Sequence, residues 1–394
     1  MSYKSVRRKL LFEKLLMLPF VWAGKLYGSL FPLNTQHGAV LFFSNGDIGG
    51  APQVNVDITE CIKDKKPLVI FSKFPRNNQF RERFNIEGAR IIDLHKLIDR
   101  KLYHFVNFFY RGVISTWVNQ QNIPVVLGGE CLFFYKVIPH LPVATKRIEV
   151  CHLDTWMHYT IGYIDHITTR VFSTEELKHK IENQYRQNNL PPLYFSKLFF
   201  VDNAIDIPPY TTSNNKQMQV YFIGRGAAQK RVHLIASIAE NIQKKNLSAH
   251  FNFVGDVGKV IDTSRYPFCT FWGNVNDAEK INEIYRTADV LILTSLFEGL
   301  PVVVMQMMAH GKPVISTAVN GIPDYIQHND NGLLIYSVEE EAIIEEGVYH
   351  IEWLLKNPEL RLKMGWNGRL GALKKFSKDA FCRTYHELMF MENG

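Results

Sequence analysis

Short apolar runs alternate with longer helical patterns along nearly the whole chain. In the first half the runs are AVLFFS (39–44), LVIF (68–71), ARIID (89–93), PVVLGG (124–129), RIEVCH (147–152) and LFFVDN (198–203). They are apolar without alternation and closed by small or polar residues, the pattern of parallel strands buried on both faces. IDIPPYTTSNNKQ (205–217) is the most turn-rich stretch and reads as a linker. The alternation then restarts with QVYFIG (219–224), HFNFVG (250–255), CTFWG (269–273), DVLILTS (289–295), KPVIST (312–317) and GLLIY (332–336). Helical patterns fill the gaps, one from about Ala228 to Ile242 and one from about Asp277 to Ala288. Such alternation predicts an α/β chain of two Rossmann-like domains with parallel sheets, residues 1–208 and 209–375, facing across a cleft. Ligands of open α/β sheets bind at the carboxyl ends of the strands, so the site is expected in that cleft.

Charge changes the picture only once it is located. The 394 residues carry a formal net charge of +7, but residues 1–28 hold six bases and one acid, which leaves the other 366 residues nearly balanced at +2. No basic stripe crosses the folded body, so nucleic acid is not an expected partner. The basic start flanks an uncharged run, Leu15 to Gly24, that is too short to span a bilayer, which takes about 20 apolar residues. Two readings stand level: contact with an anionic membrane surface, or a first helix packed on the core with a solvated basic start. On a helical wheel Arg7, Arg8, Lys9, Glu13 and Lys14 scatter, which argues against a clean interfacial helix. The five cysteines are scattered without a C-x-x-C pair, so neither a disulfide framework nor structural zinc is expected, and a reducing cytoplasm is the default.

SLFEGLPVVVMQMMAHGKPVIST (295–317) carries the most chemistry. A buried strand ends at Ser295, a turn holds Glu298 and Gly299, Pro301 suits the first helical position, and Gly311 with Pro313 supplies the stop. The N–H groups near Val302 and Val303, with the positive end of the helix dipole, suit a phosphate or a sugar hydroxyl. Glu298 in the turn and Gln306 one turn into the helix can face the same ligand. The plainer reading is an ordinary strand-turn-helix with Glu298 as a helix-start acid.

This stretch resembles the retaining nucleotide-sugar glycosyltransferases of family 4, which have the GT-B fold and carry a Glu-x7-Glu motif in this place. The resemblance continues in order along residues 39 to 375: GGAPQ (49–53), VCH (150–152), IDHITTRVFS (164–173), DNAID (202–206), GRGAAQKR (224–231), TADVLILTSLFEGLP (287–301), NGIPDYI (320–326) and DNGLLI (330–335). It implies transfer of a sugar from a nucleotide diphosphate sugar, with retention, to a saccharide or lipid-linked acceptor in cell-surface polysaccharide or lipopolysaccharide synthesis. It assigns Glu298 to the donor sugar's hydroxyls and Arg225 and Lys230 to the diphosphate. His152 falls near the donor sugar on the acceptor side. Donor contacts fall to Gly49, Gly50, Gly224, Gly255, Val275, Gly299, Leu300, Pro301, Val302 and Gln306. The last helix, in residues 376–394, is expected to pack back on the first domain through Phe381, Tyr385, Leu388 and Met389.

Physical argument supports the cationic roles. The leaving diphosphate gains charge as its bond to the sugar breaks, so fixed cations stabilise the transition state more than the ground state. No Asp-x-Asp occurs in the chain, which points to Arg225 and Lys230 rather than a metal, and no cofactor is expected. Two departures stand out. Gln306 replaces the second Glu of the motif; it retains an acceptor oxygen but loses the charge. Ala204 replaces a turn glycine, which matters only where a positive φ is required. Three rivals remain: an NAD-dependent oxidoreductase, prompted by VYFIGRGAAQ (220–229) with Asp256 after the next strand; an epimerase on the same fold; and a non-catalytic nucleotide-sugar binder.

Overall fold

The computed structural model describes every residue except 1–2, 48–49, 101–103, 123–124, 276, 299–300 and 392–394. The chain divides into two compact units, residues 1–204 with 381–394, and residues 205–380. Each is an α/β layer structure on a wholly parallel sheet.

The first unit contains β1 (Ala39–Phe43), β2 (Leu68–Phe71), β3 (Arg90–Asp93), β4 (Val125–Gly128), β5 (Lys146–Cys151), β6 (Thr169–Phe172) and β7 (Leu198–Phe200). Their order in the sheet is β3-β2-β1-β4-β5-β6-β7. β1 shows why these runs lack alternation. Ala39, Leu41 and Phe43 enter one buried cluster, while Val40 and Phe42 enter another on the opposite face, so both sides of the strand are core.

Helices cover the two faces. α1 (Tyr3–Leu30) lies against α3 (His104–Asn119), and the two approach closely through glycines: a Cβ on Gly24 would meet Phe109 O at 1.9 Å, and one on Gly112 would meet Val21 O at 2.1 Å. α2 (Gly50–Cys61) follows β1 and buries Val54, Val56 and Ile58 in the same cluster as Phe381, Tyr385 and Met389 of the last helix, Lys378–Phe390. Here the expectation for the cysteines is corrected. Cys61 at the end of α2 and Cys382 are joined in a disulfide, with Cα atoms 4.8 Å apart across a sequence separation of 321 residues. The pairing follows from the return of the last helix to the start of the chain, which spacing along the sequence does not reveal.

The second unit contains β8 (Met218–Ile223), β9 (Ala249–Val254), β10 (Thr270–Gly273), β11 (Val290–Leu293), β12 (Val314–Thr317) and β13 (Gly332–Ile335), ordered β10-β9-β8-β11-β12-β13. The helix expected from Ala228 is α5, Val232–Lys244: a single 3₁₀ turn, Ala228–Lys230, precedes it, and Arg231 between them is left-handed at φ 44°. That break follows from how Arg231 is used at the site. α6 (Ala278–Thr287) starts on Asp277, whose carboxylate accepts from the N–H groups of Glu279 and Lys280. α4 denotes Glu175–Gln187 of the first unit, capped in the same way by Thr174. Ala204 lies outside the residues with positive φ, so replacement of the turn glycine there carries no backbone cost.

Candidate active site

Both sheets reverse their order beside a central strand, between β1 and β4 and between β8 and β11. Connections on either side of such a point leave in opposite directions, and a crevice opens at the carboxyl ends of the strands. In the second unit the segments bordering it are 224–231 after β8 and, among the described residues, 294–298 and Pro301 after β11. Gly224, Arg225, Lys230, Glu298 and Pro301 of the donor-side residues read from the sequence lie there.

The Lys230 ammonium pairs with Glu298 Oε1 across these two loops, with 14% and 8% of the two side chains exposed. Ser295 Oγ donates to the same oxygen at 2.6 Å. The loops are strapped together on both sides of this pair. Arg231 donates to the carbonyls of Thr294 (2.7 Å) and Ser295 (3.2 Å), and Thr294 Oγ1 donates back to Arg231 O at 3.0 Å. The left-handed backbone of Arg231 turns its guanidinium onto the strand end, which explains the late start of α5. Leu296 N–H donates to Gln229 O at 2.9 Å, and Thr317 Oγ1 donates to Ser295 O at 2.7 Å. Ser295, Thr294 and Arg231 were missed as functional candidates; the sequence signal was their adjacency to Glu298 and Lys230.

Arg225 is exposed and has no ion-pair partner among the described residues. It sits on a turn that leaves no room for side chains. Gly255 has φ +125°, and a Cβ there would lie 1.9 Å from Gly224 O. Gly226 N–H donates to Asp256 Oδ1 at 2.8 Å, and Asp256 also pairs with Lys259 at 2.5 Å. Lys259 first, then the Gly226 N–H, draw the Asp256 carboxyl down to about 2. The acid that an NAD site would aim at a ribose is thus engaged by its own turn.

α7 (Val302–Ala309) is two turns long and buries Val304, Met305, Met307 and Met308. Pro301 caps it at φ −64°, ψ 135°, one position earlier than the sequence reading placed it. The Val304 N–H donates to Pro301 O at 2.9 Å, so the N–H groups of Val302 and Val303 are those of the open first turn. Gln306 lies on the half-buried side of α7, and its carbonyl accepts from the His310 side, at 2.8 Å from Nδ1 and 3.0 Å from the backbone N–H. Val275 follows β10 and is half-buried. Gly299 and Leu300 lie outside the described residues.

In the first unit Gly50 follows β1 beside the corresponding reversal, and His152 follows β5, one strand beyond it. Gly50 begins α2 rather than lying in a loop, and the space where its Cβ would stand is open for 4 Å; Gly49 lies outside the described residues. His152 follows β5, and its N–H donates to Glu130 Oε1 at 2.9 Å, beside Leu153 N–H at 2.6 Å. Its Nε2 is buried without a hydrogen-bond partner, and burial lowers the imidazole to about 4, so it is neutral near pH 7. Trp156 packs against the cluster of Tyr135 and Tyr159 as part of the core.

Residues 205–371 match the family described as glycosyl transferases group 1. The match runs along nearly the whole of the second unit. Relatives extend the likeness beyond it. An uncharacterised glycosyltransferase of Haemophilus influenzae is 21% identical over 348 residues, 82% of this chain and 92% of its own. The poly(ribitol-phosphate) alpha-N-acetylglucosaminyltransferase of Staphylococcus aureus is 24% identical over 370 residues, 84% and 73% of the two chains. An uncharacterised glycosyltransferase of Methanocaldococcus jannaschii is 23% identical over 215 residues, and the chain spans about half of it, 53%. Among solved structures, HepE of Anabaena in complex with UDP superposes with a TM-score of 0.65 at 14% identity, covering 89% of this chain and 98% of that one. The fold is that of the GT-B glycosyltransferases.

Proposed function

We propose that the protein transfers a sugar from a nucleotide diphosphate sugar, with retention of configuration and without a metal, to a saccharide or lipid-linked acceptor in cell-surface polysaccharide or lipopolysaccharide synthesis. It would act at the inner face of the cytoplasmic membrane. The observation that carries this reading is the Lys230–Glu298 pair at the reversal of the second sheet, with Arg225 unpaired on the adjoining glycine turn. UDP in the HepE complex makes a uridine nucleotide the first donor to try.

In this reading Arg225, Lys230 and the N–H groups at the start of α7 meet the diphosphate. Glu298 holds the sugar hydroxyls, and Gln306 and Val275 meet the nucleoside. The bond between the anomeric carbon and the phosphate oxygen breaks with its electron pair going to the phosphate. The acceptor hydroxyl adds to the same face, and its proton passes to the departing phosphate oxygen. No side chain has to act as a base. Gly49, Gly50 and neutral His152 keep the donor-contact roles of the resemblance. The test is the anomeric proton coupling of the product by NMR: an α-linked donor gives an α-linked product, and a β-linked product contradicts retention. A donor that binds but releases no nucleotide diphosphate with any acceptor favours the non-catalytic reading instead.

A further inference from the structure

α1 presents an unusual outer surface. One side of this helix is consumed by the unit: Val6, Val21 and Gly24 are buried, and Glu13 turns inward to pair with Arg111 at 3.2 Å and Lys136 at 2.5 Å. The opposite side carries Leu11, Phe12, Leu15, Trp22, Leu26 and Leu30, each more than half exposed. At about 100° per residue they occupy an arc of roughly 100° and run for about 30 Å. Monomeric surfaces rarely leave so continuous an apolar strip facing water.

The charges that made this segment look scattered on a wheel are sorted by the fold. Glu13, the single acid of α1, is neutralised inside, and Arg7 is taken by Asp165 at 3.2 Å. Arg8, Lys14 and Lys25 have no ion-pair partner among the described residues. The field they create is felt nearby, since His140 is lowered to about 4 by burial and then by Lys25, Arg111 and Lys14. No described helix is long and apolar enough to cross a membrane, and the inward pairs of Glu13 fix α1 along the surface of its unit.

We infer that α1 lies in the plane of an anionic bilayer, with the strip of Leu11, Leu15, Trp22 and Leu26 among the acyl chains and Arg8, Lys14 and Lys25 at the lipid phosphates. The charge complementarity selects a lipid surface over a second copy of this chain, whose own α1 would bring the same unpaired cations together. The inference deepens the reading of a lipid-linked acceptor, and it is tested without turnover.

The full chain is sedimented with vesicles of phosphatidylcholine alone or with 30% phosphatidylglycerol. Binding is expected to the anionic vesicles and to weaken steeply with salt. The variant Leu11→Ser, Leu15→Ser, Trp22→Ser, Leu26→Ser, checked by circular dichroism and thermal unfolding, should bind at least tenfold more weakly. Acyl-chain bromides should quench the wild-type tryptophan emission and quench Trp22→Phe markedly less. Failure of a monomeric wild type to bind, or equal binding by the fourfold variant, overturns the inference. So does a lipid-free dimer, seen by light scattering, that the fourfold substitution dissociates. Slow nucleotide release from donor alone is measured in parallel and should be unchanged in the variant, which separates this inference from the proposed reaction.

Discussion

At the scale of single residues, the Lys230–Glu298 pair would couple two roles in the proposed reaction. Each charge answers the other in the structure; in the proposed reaction a diphosphate would give Lys230 a better anion to meet and release Glu298 toward the sugar. Replacement of Glu298 by Gln removes the counter-charge but keeps the shape. Glu298→Gln should bind UDP several-fold more tightly by calorimetry while turnover falls about a hundredfold, the size of effect typical for a lost transition-state contact. Weaker UDP binding in that variant would contradict the coupling. His152 makes a second prediction. Its buried imidazole is held to about 4 against an ordinary 6.5, so below pH 6.5 the unfolded chain takes up a proton that the folded chain refuses. Stability should therefore fall between pH 6.5 and 4, by up to about 3 kcal/mol from this group, and level off below. Thermal unfolding of His152→Gln should show a smaller fall over the same interval.

At the scale of elements, the central strands were legible because both faces of each are core, and a run of Val, Ile, Leu and Phe needs no partner to be read. What the runs concealed is polar. Glu149 of β5 and Arg170 of β6 lie side by side in register and form a fully buried pair at 2.5 Å, with Tyr135 donating to Glu149 at 2.6 Å and Arg170 donating to Tyr185 at 2.7 Å. RIEVCH reads as an ordinary strand because the partner of its Glu is supplied by another strand. Glu149→Ala strands the guanidinium of Arg170, and the expected loss is about 3–5 kcal/mol by denaturant unfolding, far above that of an exposed Glu→Ala change. The close contact of α1 with α3 was equally hidden, because it rests on the missing side chains of Gly24 and Gly112.

At the scale of the whole molecule, two parallel sheets of the same winding follow from the alternation of elements along the chain, and the position of Glu298, Arg225 and Lys230 at the strand ends follows with them. The pairing of Lys230 with Glu298, the straps from Arg231 and Thr294, and the Cys61–Cys382 bond did not, because each joins segments remote in sequence. The excess of basic residues in 1–28 gained its meaning only when the fold separated an inward Glu13 from unpaired Arg8, Lys14 and Lys25.

The central claim is that fixed cations and Glu298 of the second unit, rather than a metal, carry sugar transfer. It is tested most directly by nucleotide diphosphate release from a panel of UDP-sugars in the presence of chelator, for wild type, Glu298→Ala, Lys230→Ala and Arg225→Ala. Release by the wild type that chelator leaves unchanged, reduced about a hundredfold or more in the Glu298 and Lys230 variants and about tenfold in the Arg225 variant, is the predicted result. Near-normal release by the Glu298 or Lys230 variant, or its abolition by chelator in the wild type, would contradict the account.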